Sequence, residues 1–258
     1  MKAVLHCRDC FFYILIMPFT FSHPAIVLPA MGIKRPWVSM SGLIIGSIAP
    51  DFEYFIKMKL SGRYSHSIEG MFLLDLPIAC VIIILFHGVV KKPLIDNLPN
   101  YFYARLITLR DFDFFDHMSK YFLSIVCCML VGIASHILWD SFTHANAFED
   151  RVPFLAQPVF IGGAFEVPLF RVLQHVSTVV GAGFIMLVFH RLARQQQNNF
   201  PGARFWVICF VVASIVFSIR SFIDFEYLGD IVTSLISAGI LGLIVASLYL
   251  RVKGRPIS

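Results

Sequence analysis

The sequence predicts an all-α fold: a polytopic transmembrane helix bundle with about five clear spans, preceded by short or re-entrant N-terminal helices. Three observations carry this. Hydrophobic residues fill 58% of the 258 positions and charged residues only 14%, too little polar surface for a soluble domain of that length. Mean hydropathy is +0.77. Apolar runs of roughly 20 residues, enough to cross about 30 Å of hydrocarbon, recur along the chain.

Taken in order, residues 1–16 (MKAVLHCRDCFFYILI) resemble a weak signal sequence without a small-residue cleavage site. A second start is available at Met17, so this stretch reads as an upstream extension or a frayed terminus. Residues 17–258 read as one integral membrane domain. From Ile26 to Ala49 the apolar chain is broken by Pro29, Gly32, Lys34, Arg35 and Pro36, which favours short or re-entrant helices over one span. Five spans follow, at Glu69–Val90, Tyr121–Thr143, Gln174–His190, Arg204–Ile223 and Asp230–Leu250.

The formal charge of +5 does not point to nucleic acid, because Lys and Arg sit between apolar runs, where they set topology. With alternating spans, Lys91, Lys92, Arg105, Arg110, Lys120, Arg191, Arg194, Arg204, Arg251, Lys253 and Arg255 share one side. The other side holds the smaller set Lys57, Lys59, Arg63, Arg151, Arg171 and Arg220. The expected partner is the lipid bilayer, with the C-terminus cytoplasmic. Four of the six cysteines lie inside apolar runs, which argues against a disulfide framework. Cys7 and Cys10 form one CxxC beside His6, with no second pair to complete a zinc site.

The histidines carry the chemistry. His66 precedes the first clear span, and His136, Asp140 and His144 run through the outer half of the second. His175 opens the third. On a helix, positions 136, 140 and 144 advance about 40° per step and share one stripe. Imidazole, carboxylate and imidazole on one stripe suit zinc or another borderline divalent ion. His136 would lie about 12 Å below the end of its helix, where an ionisable group is costly unless paired, hydrated or metal-bound. His87 and His190, at the other helix ends, read instead as helix-packing or interfacial groups. His23, in FSHPA, and Asp51, beside Glu53 in GSIAPDFEYF, are weaker signals; Pro50 favours a break that exposes Asp51 to a cavity. Asp75, two turns into the first span, suits a role orienting a ligand histidine.

At these residues the chain resembles the bacterial family known as domain of unknown function 4184. The matching pieces are MPFTFSHPA (17–25), GSIAPDFEYF (46–55), SHS (65–67), LDLP (74–77), SHILWDSFTH (135–144) and LQHVS (173–177). That family in turn looks like inner-membrane metal-dependent hydrolases. More distantly, it looks like the zinc-dependent phospholipase C and single-strand nuclease group, whose free N-terminal amine ligand has no counterpart in these motifs. The resemblance implies His23, Asp51, His66, His136, Asp140 and His144 as metal ligands. His175 joins them from its context.

Seven ligands exceed one tetrahedral site with an open position but fit a pair of ions, bridged by Asp51 or Asp140. The expected cofactor is therefore one or two divalent ions, zinc or else manganese, activating water for attack on a phosphoester. Glu53 and Glu69 are the candidate general bases. Arg171 and Arg220 can hold a substrate phosphate or equally anchor at lipid headgroups. A site at the membrane surface favours a lipid or cell-envelope substrate. The rival classes are a transporter or non-hydrolytic metal-binding protein, and a bundle that metal merely locks.

Overall fold

The computed structural model describes residues 20–62, 64–144, 152–161, 165–197, 199 and 201–253. The expectations placed on residues 1–16 and on Arg63, Arg151 and Arg255 fall outside them. Eight helices are described: α1 (Met40–Ile48), α2 (Phe52–Lys57), α3 (Ile68–Asp96), α4 (Asn100–Arg110), α5 (Phe114–Thr143), α6 (Leu169–Arg191), α7 (Ala203–Ser221) and α8 (Leu228–Lys253). Five of them, α3, α5, α6, α7 and α8, are long and apolar enough to cross a membrane. The chain is thus an all-α polytopic bundle with five candidate spans, as its hydropathy predicts.

Two features depart from the apolar pattern. Helix α5 starts seven residues before Tyr121, as an amphipathic turn capped by Asp113, whose Oδ1 accepts from Phe115 N and Asp116 N at 3.0 Å. A non-helical residue at Tyr121 (φ −129°, ψ 31°) separates that turn from the apolar span. Between α5 and α6 lies a two-stranded antiparallel hairpin, β1 (Pro158–Ile161) paired with β2 (Phe165–Pro168). The prolines at both outer ends give no strand signal in sequence.

The N-terminal segment has the short, broken character that its prolines and glycines predict. A 3-10 turn at Thr20–Ile26 lies against α6. The chain then passes through a second turn at Leu28–Gly32 to Ser39, whose N–H reaches Cys128 Sγ at 3.3 Å. Helix α1 runs back alongside α5 in the same direction, matching Gly42 to Ile125, Gly46 to Met129 and Ser47 to Gly132. In lipid, apolar burial does not drive helices together, and close backbone approach between small residues takes its place. Here the approach is extreme: a Cβ on Gly46 would lie 2.2 Å from the Met129 carbonyl oxygen, and one on Gly132 would lie 2.4 Å from that of Leu43. Below the site, Ile45, Ala49, Ala79, Ile83, Ile125, Met129 and Ile133 form the core shared by α1, α3 and α5.

Helix α8 fastens the segment that follows α1. One of its faces presents Asp230, Ser234 and Ser237, at the i, i+4, i+7 spacing of a single stripe. Leu60 N donates to Asp230 Oδ1 (2.8 Å), Ser234 Oγ to the Met58 carbonyl (3.1 Å) and Ser237 Oγ to the Phe55 carbonyl (2.6 Å). Met58 closes α2 in the left-handed region (φ 50°). Its carbonyl also accepts from the Arg220 guanidinium, which stacks over Phe225.

Candidate metal centre

Four side chains from three separate elements meet at one end of the bundle. Asp51 ends a short 3-10 turn (Ala49–Asp51) between α1 and α2, where Pro50 breaks the helix. His66 lies in the loop before α3, and His136 and Asp140 stand one turn apart on α5. One ligand atom from each lies within 4.8 Å of all the others, and the group can hold a metal ion. His66 Nε2 is 3.1 Å from Asp140 Oδ2, 3.2 Å from His136 Nε2 and 3.6 Å from Asp51 Oδ1. His136 Nε2 is 3.2 Å from Asp140 Oδ2 and 3.6 Å from Asp51 Oδ1. His136 is fully buried, Asp51 and Asp140 nearly so, and His66 is partly open.

The partners behind each ring decide what faces the centre. His136 Nδ1 lies 2.7 Å from the Ser47 carbonyl, which can only accept, so Nδ1 carries the proton and Nε2 presents a lone pair. Ser65 Oγ donates to Glu53 Oε2 at 2.6 Å, so it accepts from His66 Nδ1 at 3.0 Å. The Nε2 of His66 therefore also presents a lone pair. Two imidazole lone pairs and two carboxylates converge with no donor of their own, an arrangement that only a cation or added protons can satisfy. Asp51 Oδ2, buried and without a hydrogen-bond partner among the described residues, fits the same demand.

Without metal, protons do that work. Burial disfavours a charged His66, but its hydrogen bonds to Asp140 and Asp51 outweigh burial and push its pKa up to about 10. Burial likewise opposes the charge on Asp51, yet His136 and His66 hold its pKa below the usual carboxylate value. His23, stacked on His136 at 3.9 Å between ring centroids, is driven down to about 4, by burial first and His136 second.

Asp140 also has a second side. Its Oδ1 is 3.6 Å from His23 Nε2 and 3.4 Å from His144 Nδ1. His144 does not continue the helical stripe that its spacing predicts: α5 ends at Thr143, and His144 caps it in extended backbone (φ −126°, ψ 150°). The ring still reaches Asp140, while its Nε2 meets Gln174 Nε2 at 3.1 Å. An amide nitrogen donates, so the ring's Nε2 accepts there, and the opposite tautomer of His144 requires the Gln174 amide turned to present its oxygen.

The other expected residues fall elsewhere. His175 lies outside the converging group, while its neighbour Gln174 touches His144. Glu53 accepts from Ser65 N (2.9 Å), Ser65 Oγ and Tyr64 N (3.4 Å) and pairs with Lys57, which ties it to the His66 loop. Glu69 is exposed in the first turn of α3. Asp75 is fully buried in a π-helical turn (Met71–Asp75), with neither carboxylate oxygen hydrogen-bonded among the described residues. Arg220 spends its donors on the Met58 and Ile223 carbonyls, and Arg171 sits half-buried near the start of α6.

Sequence reasoning passed over Tyr54, Ser65, the Ser47 carbonyl and Gln174. Tyr54 stacks on His66 with centroids 5.7 Å apart, and burial followed by the nearby carboxylates raises its hydroxyl pKa, keeping it a donor. The signal for Ser65 is its place beside His66; the others follow only from tertiary contact. The His66 backbone is itself unusual, with φ 70° in the left-handed region that bulky residues avoid. Gly70 makes this loop possible, since a Cβ there would lie 1.8 Å from the Tyr64 carbonyl oxygen.

No curated protein and no solved structure matches the chain. A family model does match, over residues 17–248, and the protein belongs to the family described as a domain of unknown function, DUF4184.

Proposed function

We propose that this protein is a membrane-bound, metal-dependent hydrolase, a phosphoesterase acting on a lipid or cell-envelope substrate at the outer face of a bacterial inner membrane. The observation that carries the reading is the convergence of Asp51, His66, His136 and Asp140 as four acceptors on one point, with both rings turned by fixed partners. The donor set, two imidazoles and two carboxylates, suits zinc, with manganese as the alternative. Asp140 Oδ1 faces His23 and His144, so these three side chains would be the ones to hold a second ion beside the first. When bound, divalent ions there supply Lewis acidity, lowering the pKa of coordinated water toward 7 and neutralising charge on a phosphoryl group.

The chain's own residues do the rest. Ser47 and Ser65 hold the two rings in their tautomers, and Glu53 anchors Ser65. Substrate reaches the centre past His66, whose side chain keeps 22% of its exposure while those of His136, Asp51 and Asp140 keep under a tenth. Tyr54 stands on that path as a protonated hydroxyl able to donate to a phosphoryl oxygen. The excess of Lys and Arg at the opposite end of the bundle supports a cytoplasmic C-terminus and an outer site.

The test is bound metal counted by mass spectrometry on protein purified without chelators, beside His136→Ala and Asp140→Ala. About two zinc or manganese ions per chain, lost in both variants, is the expected result for a two-ion site, followed by turnover of phosphoester substrates. Well-folded protein that takes up no stoichiometric metal on reconstitution overturns the reading. Stoichiometric metal without turnover of any phosphoester or lipid assigns it instead to a non-hydrolytic metal-binding protein or transporter.

A further inference from the structure

A cavity of about 280 Å³ adjoins the candidate centre on the lipid side. Its walls are Ser22, His23 and Ala25 from the first 3-10 turn, Trp139 from α5, and Val180 and Phe184 from α6. The turn seats on α6 at Gly181, where a Cβ would lie 3.0 Å from the Ser22 carbonyl oxygen. The space is walled almost wholly by apolar atoms, with Ser22, Ser177 and the His23 imidazole as the polar residues on its lining. That same imidazole stacks on His136 and lies 3.6 Å from Asp140 Oδ1, so one wall of the cavity is in contact with the candidate metal-ligating groups.

Its depth identifies the occupant. Ser177 to Phe184 lie eight to fifteen residues into α6, about 12–22 Å along the helix axis, within the hydrocarbon depth of a span. The rim residues Val180 and Ile26, 62% and 45% exposed, open sideways toward lipid. A dry apolar slot at that depth meets acyl chains, whereas a water-borne substrate would have to cross hydrocarbon to reach it. We propose that this groove takes one acyl chain of a membrane lipid, entering laterally between the first turn and α6, so that the lipid's polar head lies at the His/Asp centre. The hydrolytic fate of that head rests on the reading above; the occupancy of the groove does not.

The probe is a phosphatidylglycerol with a diazirine midway along one acyl chain, doped into phosphatidylethanolamine–phosphatidylglycerol vesicles holding the full chain. Photolabelled positions are mapped by mass spectrometry. Labelling should concentrate on Ala25, Ile26 and Phe184 relative to Phe210, a lipid-facing position on α7. Ala25→Phe and Val180→Trp, which fill the groove from opposite walls, should each cut groove labelling about tenfold or more, as added bulk does in apolar pockets, and leave Phe210 labelling unchanged. Val180 is exposed and tolerates the larger ring, so the test survives if Ala25→Phe does not fold. Groove labelling no denser than at Phe210, or undiminished in Val180→Trp, overturns the inference. Groove labelling without stoichiometric zinc upholds it and sinks the hydrolase reading; stoichiometric zinc without groove labelling does the reverse.

Discussion

At the residue scale, the centre is an acceptor cluster whose charge is balanced either by protons or by metal, and this sets its pH behaviour. In metal-free protein, His23 titrates near 4 against an ordinary value of 6.5. The stability from keeping it neutral is present above 6.5 and lost as pH falls toward 4. His66 titrates near 10, so the stability from its charged form is present below 6.5 and lost as pH rises toward 10. Chelated protein should therefore show its highest melting temperature near pH 6.5 and decline on both sides; a melting temperature that stays flat from pH 4 to 10 would contradict this balance. Glu53 supplies a second prediction. Because it anchors Ser65 behind His66, Glu53→Gln should weaken zinc affinity about 10–100-fold, the usual cost of losing a group behind a ligand, with stoichiometry kept at saturating zinc. Isothermal titration distinguishes this from a general-base role, which would lower turnover at unchanged affinity. The pairing of His136 with Asp140 was legible from their i, i+4 spacing. Glu53's contact with the His66 loop was not, because it depends on a loop geometry set by the left-handed His66 and by Gly70.

At the scale of elements, the site depends on how closely α1 lies on α5. The Ser47 carbonyl that orients His136 sits at this contact, which Gly46 and Gly132 permit. Gly132→Ala would push the Leu43 and Ser47 backbone away, with nothing flexible at hand to yield. We expect a loss of about 1–3 kcal/mol, the range for overpacking, together with weakened metal affinity, read by thermal unfolding in detergent and by zinc titration. Gly239→Ala on α8, where a Cβ meets nothing within 4 Å, should be neutral or slightly stabilising, as helix propensity predicts. Equal effects of the two substitutions would refute the close-contact account. The spans were legible because hydrocarbon thickness imposes a minimum apolar run on each. The β1–β2 hairpin was not, since Pro158 and Pro168 bound it and no alternating run marks it. The early start of α5 was also hidden, because the charged turn before Tyr121 interrupts its apolar pattern.

For the whole molecule, what matters is which end of the bundle faces out. His66 precedes α3, His144 ends α5, and α8 starts beside α2, so these all lie at the site end. The opposite end gathers Lys91, Lys92, Arg105, Arg110, Arg191, Arg194, Arg251 and Lys253. Cytoplasmic loops carry the Lys/Arg excess, and on that ground we propose that this end faces the cytoplasm. The site end is not free of positive charge, but three of its described cations are engaged: Lys57 pairs with Glu53, Lys59 with Glu226 (2.7 Å), and Arg220 holds backbone carbonyls. Single cysteines placed at Tyr64 and Ile68, both exposed at the site end, should react with a membrane-impermeant maleimide added to intact cells stripped of their outer membrane. A cysteine at exposed Gln196, in the connection between α6 and α7, should react only after lysis, and a C-terminal reporter fusion should be active only in its cytoplasmic form. The reverse pattern would turn the bundle over. The centre would then open on the cytoplasmic leaflet, and the envelope substrate would give way to one reached from the cytoplasm, while the metal-binding geometry itself would stand.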